Sequence, residues 1–206
     1  MKPVKTKDGY IKFDCRWKEA RPIPAGRLKT INYWRKKLYA LGMIGSDKKG
    51  IGFGNISQRI GRTDMFIITG SATGKFKKLN NKHYTRVTGY DFKKNSLNCQ
   101  GPVRVSSESL SHAAVYKSNK NANCVIHIHN QKLWKKLKNR VPATSPKAAY
   151  GTPAMAREIE KLFKQTDVKD KNIFVMAGHR YGLVAFGPDA ASAGKVIIMA
   201  NRGLYF

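Results

Sequence analysis

Between residues 55 and 105 the chain reads as four short β-forming runs, 55–60, 65–69, 84–92 and 96–105, with glycines and polar clusters between them. That spacing predicts an antiparallel meander rather than a series of helical crossovers. Around it the pattern changes. From Ala25 to Leu41 the apolar positions Leu28, Ile31, Trp34, Leu38 and Leu41 step by three and four, which predicts an amphipathic helix. Gly42 and Gly45 close it, and Gly50 to Gly54 read as a flexible turn. Residues 10–17 alternate and read as a strand or extended lead-in. Ser107 is placed to cap a helix reaching about Lys117. Residues 125–129 read as a strand, 131–138 as a short basic helix, and Thr152-Pro153 as the start of a helix to Gln165. Strands at 173–177 and 181–186 follow, and Pro188-Asp189 opens a last helix through Ala200. Strands and helices mixed without a strict β-α-β rhythm predict one α+β-like domain, with helices laid on a mainly antiparallel sheet.

The 206 residues suit a single domain, and 41% hydrophobic residues are enough for a core. No apolar run approaches the roughly 20 residues of a membrane span. The start, Met1-Lys2-Pro3-Val4-Lys5, leads into polar residues and shows no signal peptide. Cys15, Cys99 and Cys124 are odd in number and far apart, so they read as reduced thiols of a cytoplasmic protein. Forty Lys+Arg against twelve Asp+Glu give +28, a balance that attracts polyanions. The lysines are spread along the whole chain, without zinc-finger spacing or an RNA-recognition aromatic motif. The charge therefore predicts a solvated lysine surface with non-specific polyanion binding at low salt, and no dedicated nucleic-acid site.

The chemistry concentrates in Cys124-Val125-Ile126-His127-Ile128-His129. Alternation along a strand puts His127 and His129 on one face, half of a transition-metal site, with Cys124 on the other. Ser106-Ser107-Glu108 lies upstream, and Gly178-His179 lies downstream of another apolar strand. Three histidines and a carboxylate at the edges of elements suit a catalytic metal centre with an open position. Ser106, Ser107 and the amides of a helix start can cradle a phosphate, and Glu108 there can act as a general base. Thr69-Gly70-Ser71-Ala72-Thr73-Gly74 is a small, hydroxyl-rich turn of the kind that exposes N–H groups to oxyanions. His112 and Tyr116 share the Glu108 face of their helix and read as supporting groups, and His83 reads as solvated.

The order of these motifs resembles the class II aldolase/adducin family. The resemblance runs through Gly54-Asn55-Ile56-Ser57-x-Arg59, Ile68-Thr69-Gly70-Ser71, Ser106-Ser107-Glu108 with His112 and Tyr116, His127-x-His129 and Gly178-His179…Gly182-Leu183-Val184. It covers roughly residues 28 to 200, with the first 24 residues as an extension packed on a single domain. It implies a three-layer α/β/α sandwich with a central, mainly antiparallel sheet, and commonly a homotetramer. It implies a divalent metal, usually zinc, on His127, His129 and His179. It makes Glu108 the catalytic carboxylate, and Asn55, the turn from Thr69 through Gly70, Ser71 and Thr73 to Gly74, Ser106 and Ser107 the phosphate-binding groups. The expected activity is that of a metal-dependent aldolase or lyase on a small phosphorylated hydroxy-carbonyl, through a metal-stabilised enediolate. Epimerisation, dehydration and decarboxylation suit the same centre. The alternative is a non-catalytic scaffold that uses its charge. Three features depart from the family pattern. Arg180-Tyr181 stand between His179 and Gly182. The Thr69–Gly74 turn is one residue longer. The short stretch from His129 to Thr152 lacks the segment that supplies a proton-donating tyrosine, a part Tyr150 does not obviously take.

Overall fold

The computed structural model describes residues 4–6 and 9–205, with side chains from residue 11 onward. In chain order its elements are β1 (Val4–Thr6), β2 (Gly9–Ile11), β3 (Asp14–Lys18), α1 (Lys29–Ala40), β4 (Gly45–Ser46) and β5 (Gly52–Phe53). They continue with β6 (Asn55–Arg59), β7 (Phe66–Thr69), β8 (Tyr84–Asp91), β9 (Ser96–Gln100) and α2 (Ser109–Ser118). The remainder is β10 (Cys124–His129), α3 (Gln131–Leu137), α4 (Pro153–Gln165), α5 (Val168–Lys171), β11 (Ile173–Val175), β12 (Gly182–Gly187) and α6 (Ala190–Arg202).

The principal sheet has eight strands in the order β11-β12-β10-β6-β7-β8-β9-β3. Every pairing in it is antiparallel except the last, where β3 runs parallel to β9. The meander β6-β7-β8-β9 is the one that the turn-separated runs predict. Alternation then sorts side chains to two faces. On β10, Val125 joins Leu110, Ala113, Met155 and Ile159 of α2 and α4. Cys124, Ile126 and Ile128 join Ile31, Leu38 and Ile197 of α1 and α6 on the other face. Helices cover both faces, and the fold is the expected three-layer α/β/α sandwich. Among the described residues no helix is long and apolar enough to cross a membrane.

Several local expectations are corrected. The helix after residue 25 begins as a 3-10 turn at Ala25–Leu28 and becomes α-helical at Lys29. The Gly50–Gly54 segment is not only a turn, because Gly52 and Phe53 pair with Ser46 and Gly45 in a small hairpin. The run 96–105 leaves strand conformation after Gln100. Ser107 does not cap α2: the helix starts at Ser109, whose amide and hydroxyl both donate to the Ser106 carbonyl. Residues 10–17 divide between β2 and β3, two strands in different sheets. Thr152 and Asp189 do cap α4 and α6 through their side chains. All three cysteines are free thiols, and Cys124 lies on the face opposite His127. Cys15 and Cys99, far apart in sequence, bring their Sγ atoms within 3.9 Å because β3 lies on β9.

Candidate active site

The His127-x-His129 strand is an interior strand, third in the sheet order. β10 pairs His127 with Asn55 of β6 on one side and with Val184 of β12 on the other. His179 comes from the turn between β11 and β12. The His179 amide donates to the Met176 carbonyl and the Gly182 amide to the His179 carbonyl. The three Nε2 atoms converge, with His127 to His129 at 3.1 Å and His129 to His179 at 3.0 Å. Gly182 makes room for this: a Cβ there would lie 2.9 Å from His179 Cδ2 and 3.1 Å from His127 Cε1.

His127 Nδ1 lies 3.1 Å from the Leu183 carbonyl, which only accepts, so the proton is on Nδ1 and the Nε2 lone pair points into the cluster. Burial, and after it the neighbouring imidazoles, holds His127 well below the ordinary histidine range. Burial lowers His129 to about 4, and burial, His129 and the Lys12 charge lower His179 to about 3. Three neutral bases facing one point suit a cation. Ligands about 2.0–2.1 Å from a tetrahedral zinc lie roughly 3.3 Å apart, close to the separations of the two contacting pairs. The donor set and its spacing fit a divalent metal.

Glu108 stands at the N-terminal edge of α2 and is buried, with Oε1 3.4 Å from His179 Nε2. Ser111 donates to Oε2 at 2.8 Å, while Oε1 has no hydrogen-bond partner. Burial raises the Glu108 carboxyl to about 7, and the Ser111 bond and the Lys12 charge restrain the rise. Below it, Ser57 Oγ lies 2.7 Å from both His112 Nδ1 and the Tyr116 hydroxyl, so those two residues brace β6 against α2. Arg59 completes the brace by donating to the carbonyls of Tyr116, Asn119, Ala122 and Thr63.

The histidines and Glu108 open into a cleft of about 660 Å³. Asn55, Gly70, Ser71, Thr73, Gly74, Ser106 and Ser107 all line it. Thr69 does not; its hydroxyl accepts from the Ile56 amide inside the sheet. The Thr73 hydroxyl donates to the Gly70 carbonyl and shapes the turn. Ser71 is therefore the turn hydroxyl left for a ligand. Asn55 Nδ2 donates to Ser106 Oγ at 3.0 Å, while its buried Oδ1 has no partner. The turn is pressed home, since a Cβ on Gly74 would sit 2.5 Å from the Gly45 carbonyl. It is held by Arg35 of α1, whose buried guanidinium donates to the carbonyls of Thr73, Gly74, Phe76 and Lys77.

Sequence reasoning gave no role to Arg35, Lys12 or Ser111, and none carries a motif that marks it. Tyr150 lines the cleft with its ring 4.6 Å from that of His179, and Lys12 Nζ lies 3.8 Å from the Tyr150 ring centre. His83 is half-buried: its Nδ1 accepts from the Asn80 amide and its ring lies against Phe76, away from the metal cluster.

The comparisons with known proteins agree with this fold. Residues 45–204 match the Class II Aldolase and Adducin N-terminal domain, and the chain belongs to that family. Among solved structures it is similar to an L-fuculose-1-phosphate aldolase from Thermus thermophilus, at 19% identity and TM-score 0.62, over 87% of this chain and 91% of that one. It is also similar to a sugar-phosphate aldolase from Thermotoga maritima, at 15% identity and TM-score 0.60, over 85% and 92%. The N-terminal class II aldolase domain of a Thermoplasma acidophilum protein aligns at 14% identity and TM-score 0.57, over 90% and 97%. No curated protein matches the sequence. Family membership supports an enzyme of aldolase or lyase type.

Proposed function

We propose that the chain is a metal-dependent lyase acting on a small phosphorylated hydroxy-carbonyl compound. The observation that carries the reading is the convergence of three neutral imidazole nitrogens beside a buried carboxylate oxygen that has no hydrogen-bond partner. His127, His129 and His179 would hold the ion, with zinc the best fit to three nitrogen donors. Bound there, the metal supplies Lewis-acid polarisation of the substrate's oxygens. Glu108 is the base. Ser111 fixes its Oε2, which leaves Oε1 directed to the cleft to take the proton next to the carbonyl. Asn55, Ser71, Ser106, Ser107 and the amides from Gly70 to Gly74 hold the phosphate and orient the reacting carbon. Thr69 and Thr73 support this cradle from behind. The working unit is a cytoplasmic homotetramer built from a single domain, which the described part of the N-terminal extension joins as strand β3 of the sheet; the three free thiols agree with a reducing compartment.

The test uses natively purified protein and dihydroxyacetone phosphate as probe. Elemental analysis should find about one zinc per chain, lost on His127→Ala. Exchange of the probe's C–H protons with D₂O, followed by NMR, should require the metal. It should fall at least roughly 100-fold in Glu108→Gln while the metal is retained. A metal-free native protein, or exchange unchanged by Glu108→Gln, overturns the reading.

A further inference from the structure

The phosphate-binding groups proposed above account for one side of the cleft. In the sheet order, Asn55 on β6 and the turn after β7 lie to one side of the metal strand β10. β12 lies on the other side, and the turn that leads into it carries His179, Arg180 and Tyr181. Arg180 and Tyr181 both line the cleft there. Their placement is enforced. Tyr181 sits at φ +63°, a left-handed conformation that a bulky side chain adopts only when its surroundings impose it. Its carbonyl accepts from the Asn130 amide, and its ring meets Trp134 of α3. The Tyr181 hydroxyl accepts from Arg180 at 3.0 Å, so the guanidinium is steadied at the mouth of the cleft.

A second cation stands near the same histidine. Lys12 Nζ lies over Tyr150, whose ring also meets that of His179. Its backbone is pinned: Ile11 and Phe13 on either side are buried, and the Lys12 carbonyl accepts from Asn95 Nδ2 at 2.7 Å. Its charge is felt at both Glu108 and His179. Neither Lys12 nor Arg180 is paired with a carboxylate among the described residues. Lys12 also lies outside the 45–204 segment that matches the family.

We propose that Arg180, with Lys12 beside Tyr150, forms a second anion-reading edge of the cleft, and that the substrate carries a carboxylate in addition to its phosphate. This rests on the phosphate-binding role proposed for Asn55, the Gly70–Gly74 turn and Ser106-Ser107. A planar guanidinium held by its own neighbour matches a carboxylate with two parallel hydrogen bonds, and the Lys12 ammonium over Tyr150 adds a point charge. Arg180 is thus a specificity-determining residue, selecting phosphorylated sugar acids over phosphorylated sugars.

The test measures binding by calorimetry on zinc-loaded protein with three four-carbon probes. Erythritol 4-phosphate carries the phosphate alone, erythronate the carboxylate alone, and 4-phosphoerythronate both. Wild type should bind 4-phosphoerythronate about tenfold or more tighter than erythritol 4-phosphate, the scale of one added charge-assisted contact. In Arg180→Gln, and further in Arg180→Gln/Lys12→Met, that preference should collapse to about twofold with the Kd for erythritol 4-phosphate unchanged. Lys161→Gln, an exposed lysine of α4, should keep the preference, which separates a local site from the overall charge. A wild-type protein without the preference overturns the proposal, and so does a preference that survives in the double variant, because the metal would then be reading the carboxylate. Erythritol 4-phosphate weakened as much as 4-phosphoerythronate also overturns it, since the cations would then serve the phosphate. If erythronate binds as tightly as 4-phosphoerythronate and the preference still depends on Arg180, the carboxylate edge stands and the phosphate cradle fails. If no probe binds, both fail.

Discussion

Replacing Arg35 by methionine should loosen the ligand-binding turn and lower the stability of the whole protein. Arg35 lies on α1 at 2% exposure, and its partners are four main-chain carbonyls. Burial already pulls its basicity down, so part of what the four bonds contribute is offset by the burial of a charge. The consequences differ along the turn. Phe76 and Lys77 are exposed, and their carbonyls can return to water. Thr73 and Gly74 are buried, and theirs cannot. Two stranded carbonyls at about 1–3 kcal/mol each, less the relief of unburying the charge, give a loss of about 2–4 kcal/mol. At roughly 2–4 °C per kcal/mol for a chain of this size, the melting temperature should fall by roughly 5–15 °C. Arg35→Lys, with a compact point charge in place of the planar fork, should fall between wild type and methionine. Thermal unfolding by circular dichroism gives the first number. Amide hydrogen exchange over residues 70–78 gives the location, with faster exchange expected there. A methionine variant that melts within about 1 °C of wild type, with unchanged exchange in the turn, would refute the anchoring role.

Gly182→Ala removes no ligand, yet its methyl group would crowd His179 Cδ2 and His127 Cε1; zinc affinity should drop at least roughly tenfold, as with outer-shell changes at other metal sites, and competition with a chromophoric chelator reads it. His112 is buried and held to about 3 in the fold against about 6.5 when unfolded, so the unfolded chain takes up a proton that the folded chain refuses. Its contribution is therefore constant above pH ~6.5 and is lost as pH falls toward 3, at up to about 1.4 kcal/mol per pH unit. His112→Gln should show a shallower acid limb in denaturant titrations at stepped pH; an identical slope would count against a neutral, buried His112. The +28 charge should give DNA and RNA affinity at low salt that fades steeply with added salt and shows no sequence preference. Selective binding in physiological salt would instead favour a nucleic-acid role.

The features legible in the sequence are those with a short-range cause. The meander from β6 to β9 follows from turn chemistry and alternation, and the α4 start follows from Thr152-Pro153. The pairing of His127 with His129 needs only the two-residue strand period. Ser107 looks like a helix cap because a serine precedes an apolar run, but the helix starts one residue later, after Glu108, and leaves Ser107 lining the cleft. Thr69 and Thr73 look like ligand groups by composition; the fold spends their hydroxyls on the Ile56 amide and the Gly70 carbonyl. Arg35 and Lys12 could not be read at all. Each acts across more than 35 residues of chain on a partner that no local pattern specifies, one on a turn carbonyl and the other on Tyr150.

The parallel junction of β3 with β9 has a consequence for how the chain comes together. Cys15 and Cys99 meet across it, and the Trp17 indole donates to the Gly101 carbonyl, both over a separation of 84 residues. During synthesis the first strand of the sheet therefore waits for β9, its only neighbour among the described residues, until nearly half of the chain has left the ribosome. Until then β3 offers unpaired N–H and C=O groups beside Trp17. Once β9 exists without β3, it presents the same open ladder from its side. The late zipping of these two strands covers the β9 edge and leaves β3 as the edge strand, and it is the step most exposed to edge-to-edge association between copies. Removing the first 18 residues would make that exposure permanent, with aggregation as its sign, before any effect on the cleft could be read.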